Sequence, residues 1–400
     1  IQSWIVGDVL VVDTGFLCAA FDLLEKNAKH PIWIDQGLTA AGMFDNGQLG
    51  VTTNTMFVQH ATTVADGCTV IMRAGNTLRA RDLATGRLLW ERTGIPPGHL
   101  WTACSEFVAC HADSASPETI LYSTEDGREL ERRSFDRMRP LLASMGRYVL
   151  RTQTAGTAFR ITYEDVRDGK IVQEFSVSRD TRAVSPKTTV LSDGRVGIYE
   201  PTTGRFRIVY LPGGDVLCDV PLNSHKSPTS LHIFDNGNDY HVVLGFRDPS
   251  AAAAPAISPI GPFRSMRSIS LTEAEIYRID KSGSLVWEKP AIIKNTYLPL
   301  DQPIDSPVLI FGGMFWKKTG AVRTYQTRVQ AIDKRTGNLV LDTWQNNMSH
   351  YVDIVAVPEA SEVKISLQQA TLTLRFTDEP ETATDDEKVD PKRIIRMLFW

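Results

Sequence analysis

The chain has 400 residues and 44.5 kDa, is 42% hydrophobic and 22% charged, and carries a formal charge of -4 at pH 7 with mean hydropathy -0.16. These values exclude a disordered or collagen-like chain and argue against a strongly cationic nucleic-acid binder. No apolar run approaches the roughly 18–20 residues that span a bilayer, so neither nucleic acid nor a membrane span is expected.

The first residue is Ile1, and no basic stretch followed by an apolar run opens the chain. The expectation is a removed signal or upstream domain, or a piece of a longer polypeptide with further domains. Residues 5–35 form a first unit, in which Phe21-Asp22 leads to Trp33 through an enlarged turn at Leu23–His30. The pattern is clearest from Leu78 through Asp82, Thr85 and Gly86 to Trp90. Weaker copies follow around Asp126-Gly127, Asp168-Gly169 and Gly213-Gly214. It returns from Ile276 through Asp280 and Gly283 to Trp287, and from Val329 through Asp333, Thr336 and Gly337 to Leu341. A last unit takes Tyr351–Val357, Glu362–Leu367 and Thr371–Phe376.

Each copy reads as a hairpin. An Asp side chain bonds the backbone two residues on, and a glycine supplies positive φ, which together close two antiparallel strands. A further β-branched run precedes most hairpins, as at Cys68–Met72, Tyr148–Leu150, Tyr240–Leu244 and Val308–Phe311. Gly86, Gly127, Gly169 and Gly214 are spaced by 41, 42 and 45 residues. A period of about 40–50 with four strands per unit is the mark of a β-propeller. The expected fold is all-β: a propeller of four-stranded antiparallel blades over residues 1–377. Counting units gives eight blades, with seven as the alternative if the N-terminal run completes the last blade. Trp90 and Trp287, on outer strands, are expected to pack between neighbouring blades.

The Asp82–Trp90 and Asp280–Trp287 hairpins resemble the PQQ-like repeat of the quinoprotein-alcohol-dehydrogenase-like propellers. Leu298–Pro303 ahead of Val308–Phe311 is similar to segments of large bacterial PQQ-like repeat proteins. The resemblance covers about residues 5–378. It implies a blade and no particular reaction, since the repeat serves quinone-dependent dehydrogenases, outer-membrane assembly scaffolds and extracytoplasmic binding modules. It also implies a place in the periplasm or cell envelope, with the cytoplasm left open.

An active quinoprotein would, on the same resemblance, hold PQQ and calcium in a central channel, with a catalytic Asp and often a disulfide between adjacent cysteines. None of Cys18, Cys68, Cys104, Cys110 and Cys218 are adjacent, and no stretch matches the calcium ligands. No cofactor, metal site or catalytic residue is assigned, and a quinone-dependent dehydrogenase stands as the alternative to a non-enzymatic module. Cys104 and Cys110 are near enough to bridge in an oxidising compartment, although buried apolar thiols are the favoured reading. The eight histidines are read as surface or capping groups, with His232 and His241 weighed as a metal pair across one turn.

Departures from the period carry the functional reading. The spacings Gly214–Gly283 and Gly283–Gly337 are 69 and 54 residues, so two consecutive blades carry insertions between their second and third strands. Residues 247–267 form the first and 312–325 the second. Such loops emerge opposite the Asp/Gly hairpins, on the face of the blade connections. Arg264 and Arg267, with Phe315, Trp316, Lys317, Lys318, Arg323 and Tyr325, form the expected partner-binding set. No acid occurs from Gly312 to Arg328. Arg and aromatic residues together suit a protein, or an anionic or glycan ligand.

The remaining residues, 378–400, read as an acidic linker or tail with an apolar C-terminal end. Residues 378–390 hold seven acids and one Lys, which contribute -6 and leave the rest of the chain at +2.

Overall fold

The computed structural model describes residues 2–13, 18–25, 30–35, 61–65, 69–74, 76–95, 98–112, 118–134, 141–178, 185–191, 194–222, 224, 226–246, 268–300, 302–319, 322–346, 351–367 and 371–376. The first insertion, with Arg264 and Arg267, and the tail from 378 lie outside the described residues. Two compact units emerge, one of Ile1–Ser178 with Ser192–Gly194 and Leu211–Gly214, the other of Arg179–Leu191, Arg195–Tyr210 and Asp215–Trp400.

The first unit holds four sheets, each a four-stranded antiparallel meander. Sheet 1 takes β1 (Gln2–Val6), β2 (Val9–Asp13), β3 (Cys18–Asp22) and β4 (Trp33–Asp35). Sheet 2 takes β5 (Ala61–Ala65), β6 (Thr69–Ala74), β7 (Thr77–Asp82) and β8 (Leu88–Arg92). Sheet 3 takes β9 (Gly98–Ala103), β10 (Phe107–Ala112), β11 (Glu118–Ser123) and β12 (Glu129–Ser134). Sheet 4 takes β13 (Leu141–Met145), β14 (Tyr148–Ala155), β15 (Ala158–Asp165) and β16 (Lys170–Ser178).

The second unit continues the plan. Sheet 5 takes β17 (Lys187–Val190), β18 (Arg195–Glu200), β19 (Arg205–Tyr210) and β20 (Asp215–Pro221). Sheet 6 takes β21 (Ser230–Asp235), β22 (Asp239–Phe246), β23 (Ser268–Asp280) and β24 (Ala291–Pro299). Sheets 7 and 8 have three described strands each: β25 (Val308–Thr319), β26 (Val322–Asp333) and β27 (Leu339–Asn346), then β28 (Tyr351–Val357), β29 (Glu362–Leu367) and β30 (Thr371–Arg375). No α-helix occurs among the described residues. The fold is all-β, made of propeller-type blades.

The repeated hairpin explains the local geometry. Asp82 accepts hydrogen bonds from the Thr85 hydroxyl at 2.7 Å and the Thr85 amide at 2.8 Å, while Gly86 takes φ +70° and returns its N–H to the Asp82 carbonyl. Those bonds hold the Asp82 carboxyl below the usual carboxylate range. After the turn the outer strand bulges. Ala80 pairs with Trp90 but Arg81 with Leu88, so Leu89 is skipped. The same shift skips Leu130, Val172, Leu217 and Val340 in sheets 3, 4, 5 and 7. A bulge re-aims the side chains beyond it and spoils the exposed edge for pairing with another chain.

What it re-aims is the Trp. The Trp90 ring lies over Gly127 of sheet 3 and donates Nε1–H to the Thr124 carbonyl at 2.7 Å. Trp33 does the same over Gly86 with the Leu83 carbonyl, and Trp287 over Gly337 with the Arg335 carbonyl. The expected packing between blades is therefore seen. Where no Trp stands, Arg133, Gln173 and Cys218 cover Gly169, Gly214 and Gly283. Apolar clusters fill the layers between successive sheets. Val11, Cys18 and Trp33 meet Val70 and Met72, and Ile71 and Leu78 meet Val108, Cys110 and Tyr122. In the second unit Phe206 and Ile208 meet Tyr240 and Tyr277, Val243 and Ile276 meet Leu309 and Phe311, and Ile310 and Val329 meet Ile354 and Ile365.

Cys104 and Cys110 are buried, on opposite sides of sheet 3. Cys110 packs toward sheet 2 and Cys104 toward Val149 and Val166 of sheet 4, so the buried-thiol reading holds.

Candidate functional site

The second insertion is not an irregular loop. Residues 312–319 and 322–328 continue β25 and β26 in register, with Trp316 opposite Tyr325, Lys317 opposite Thr324, Lys318 opposite Arg323 and Thr319 opposite Val322. Pairing of β26 with β27 stops at Gln326–Asn346. Four residue pairs therefore form a two-stranded ribbon beyond the third strand. The side chains of Trp316, Lys317, Lys318, Arg323 and Tyr325 lie outside the described set; the backbone places these residues together on the ribbon.

Phe315 is described, and it sits at the ribbon's base. Its ring meets Tyr297 edge-on at 5.0 Å between centroids and Trp344 at 5.3 Å. Arg328 lies 5.1 Å over the Trp344 ring and is held by Asp342 through two bonds of 2.9 and 2.7 Å. A further guanidinium nitrogen donates to the Lys294 and Asn295 carbonyls, tying the ribbon's base to β24. Phe315 is thus engaged in packing, while Trp344 remains 46% exposed. Tyr297 and Trp344 escape sequence reasoning because they fall on regular strands with no break in the repeat.

A second feature lies at the other end of β26. A cleft of about 600 Å³ opens among the Asp/Gly hairpin ends of sheets 6 and 7 and the end of β30 in sheet 8. Ile304, Val340, Leu341, Leu374 and Phe376 give it apolar walls; His241, Arg278, Lys334 and Asp305 supply polar groups. His241 pairs with Phe234 across β21–β22 and is 1% exposed, against the expectation of a surface or capping histidine. Neither ring nitrogen finds a partner in hydrogen-bonding geometry, and the Trp287 ring stands edge-on at 5.9 Å. Burial, reinforced by the nearby Lys334 ammonium and opposed by a contact with the Lys334 backbone, pushes the imidazole down to about 4. Burial likewise pushes the Lys334 amine down to about 8, with Asp305 opposing.

Arg278 is bound to Asp239 by bonds of 2.9 and 2.7 Å. Lys334 Nζ donates to the Ile304 carbonyl at 2.7 Å. His232 lies diagonally across the strand pair from His241, and no group of three or more His, Cys, Asp or Glu suited to a metal occurs among the described residues.

No family model matches the chain, and no curated protein matches it. Solved structures do. BamB from Moraxella catarrhalis is 12% identical, with 91% of this chain and 92% of that one covered and a TM-score of 0.40. The WD40 domain of SCAP from fission yeast is 10% identical, with 92% of each chain covered and a TM-score of 0.45. A europium-containing methanol dehydrogenase is 12% identical, with 91% and 81% covered and a TM-score of 0.39. Likeness at this level brings no chemistry to the present chain. No helix among the described residues is long and apolar enough to cross a membrane.

Proposed function

We propose that the chain is a non-enzymatic binding or scaffolding propeller, its eight sheets being eight blades, and that it recognises an acidic protein partner through the β25–β26 ribbon. One observation supports this most. The ribbon sets Lys318 directly opposite Arg323, with no acid from Gly312 to Arg328. Like charges across a strand pair are destabilising, and a two-stranded ribbon outside its sheet is marginal by itself. A negatively charged partner offsets both costs. Arg264 and Arg267 belong to the same reading, as does the exposed Trp344 at the ribbon's base. On the resemblance of its hairpins, the module belongs to a bacterial cell envelope or a larger multidomain protein.

The test is charge reversal at Lys317, Lys318 and Arg323 together, each to Glu. Capture of the acidic partner in pull-down is expected to fall by about tenfold or more, since reversed charges also repel it. The melting temperature is expected to move by no more than about 2 °C, as for exposed sites. Retained capture removes the ribbon from the account, and capture of a glycan in place of a protein corrects the partner's class.

A further inference from the structure

We propose that the cleft between sheets 6, 7 and 8 is a binding site for a small amphipathic acid, its carboxylate held by Lys334 and His241 and its apolar body by Leu341, Leu374 and Phe376. The inference does not depend on the ribbon, which lies at the far end of β26.

Buried polar atoms are nearly always hydrogen-bonded, so two unfilled nitrogens on a ring 1% exposed call for a partner. His241 is one of the residues that line a cleft of about 600 Å³, within the size range of small-molecule sites. A neutral imidazole offers one N–H and one acceptor. Beside it, the Lys334 ammonium has three N–H groups, one of them directed at the Ile304 carbonyl.

Apart from Asp305, the other charges of the wall have partners. Arg278 serves Asp239 and the Arg335 carbonyl, Arg375 bonds Glu362 at 2.6 Å, and Asp333 accepts from the amides of its own turn. Lys334 and His241 are left as the pair facing a ligand. One ammonium and one neutral N–H match a single negative charge shared over two oxygens. Asp305 beside Lys334 disfavours a dianion such as a phosphate monoester. The apolar majority of the wall requires a hydrocarbon or aromatic body on the acid.

The test uses octanoate as probe on the full chain, titrated by calorimetry, with octanol and octylamine as neutral and cationic counterparts. Octanoate is expected to bind saturably at one site, with octanol and octylamine weaker by about tenfold or more. The ring nitrogen resonances of His241 are expected to shift with octanoate. Leu341→Trp, which fills the cleft, is expected to abolish binding, and Lys334→Met to weaken it about tenfold. Absence of binding at millimolar octanoate overturns the proposal. So does equal affinity for octanol, which needs no variant to be measured, or full binding by folded Leu341→Trp. The ribbon triple variant is expected to bind octanoate unchanged, so the two readings fail separately.

Discussion

At Gly127 the absence of a side chain is what lets one sheet lean on the next. A Cβ there would stand 2.6 Å from the Trp90 ring, and the residue already holds φ +71°. Gly127→Ala therefore combines a left-handed backbone cost of about 1–2 kcal/mol with overpacking of about 1–3 kcal/mol. At Gly283, with φ +86°, the nearest side-chain atom, Cys218 Sγ, is 3.7 Å away, so alanine meets the backbone cost alone. Urea unfolding is expected to show a loss of about 2–5 kcal/mol for Gly127→Ala and about 1–2 kcal/mol for Gly283→Ala. Equal losses would contradict the Trp–Gly contact. Both glycines were legible as turn residues from the repeat, but which of them also receives a ring was legible only where a Trp follows the previous hairpin.

His241 makes the opposite case, because nothing in its sequence neighbourhood announced burial beside a cleft. Its folded form binds a proton less readily than the unfolded form, about 4 against 6.5. Between those values the unfolded chain holds more protons, so this contribution is complete above about pH 6.5 and declines as pH falls toward 4. It is worth on the order of 3 kcal/mol at most. Comparing urea midpoints at pH 7 and pH 4.5, His241→Phe is expected to lose less stability on acidification than the unmodified chain. An equal loss would mean that the ring is not buried neutral.

Among the elements, sheet 7 shows a side chain doing a strand's task. Its first described strand is β25, whose Asp333–Gly337 hairpin partner places it second by analogy with the other sheets. On its open edge, Gln302 accepts from the Ile310 amide at 2.8 Å and returns its own amide toward the Ile310 carbonyl at 3.4 Å. Gln302→Leu leaves that buried N–H unpaired and is expected to cost about 1–3 kcal/mol in urea unfolding, and Gln302→Glu, which turns a buried carboxylate oxygen toward the Pro299 and Ile310 carbonyls, is expected to cost at least as much. A null effect of the leucine would mean that the contact contributes nothing. Gln302 was legible only as part of a family-like segment.

The insertion at 312–325 lies where the sequence places it but forms paired strands, not a loop, for a physical reason. Gly312-Gly313 looks like punctuation, yet Gly313 lies within a strand because a Cβ there would press on the Tyr297 ring at 3.0 Å. Glycine here makes room for an aromatic neighbour, and sequence alone does not distinguish that use from a turn.

For the whole molecule, the recurring hairpins locate most strands, and the last unit, which has no turn glycine, also falls on strands at Tyr351–Val357 and Glu362–Leu367. Regular units repeat their hydrogen bonds, so their signal accumulates along the chain. The cleft had no such signal. It is assembled from Asp239, Ile304, Lys334 and Phe376, residues that are far apart in sequence and ordinary within their own units.

Recognition through the ribbon is open to hydrogen exchange on the full chain with its captured partner. Slowed exchange is expected to concentrate at residues 314–326, with the Asp82–Gly86 and Asp333–Gly337 hairpins unchanged. Protection confined to the hairpin end of the sheets, with the ribbon exchanging as in the free chain, would contradict it.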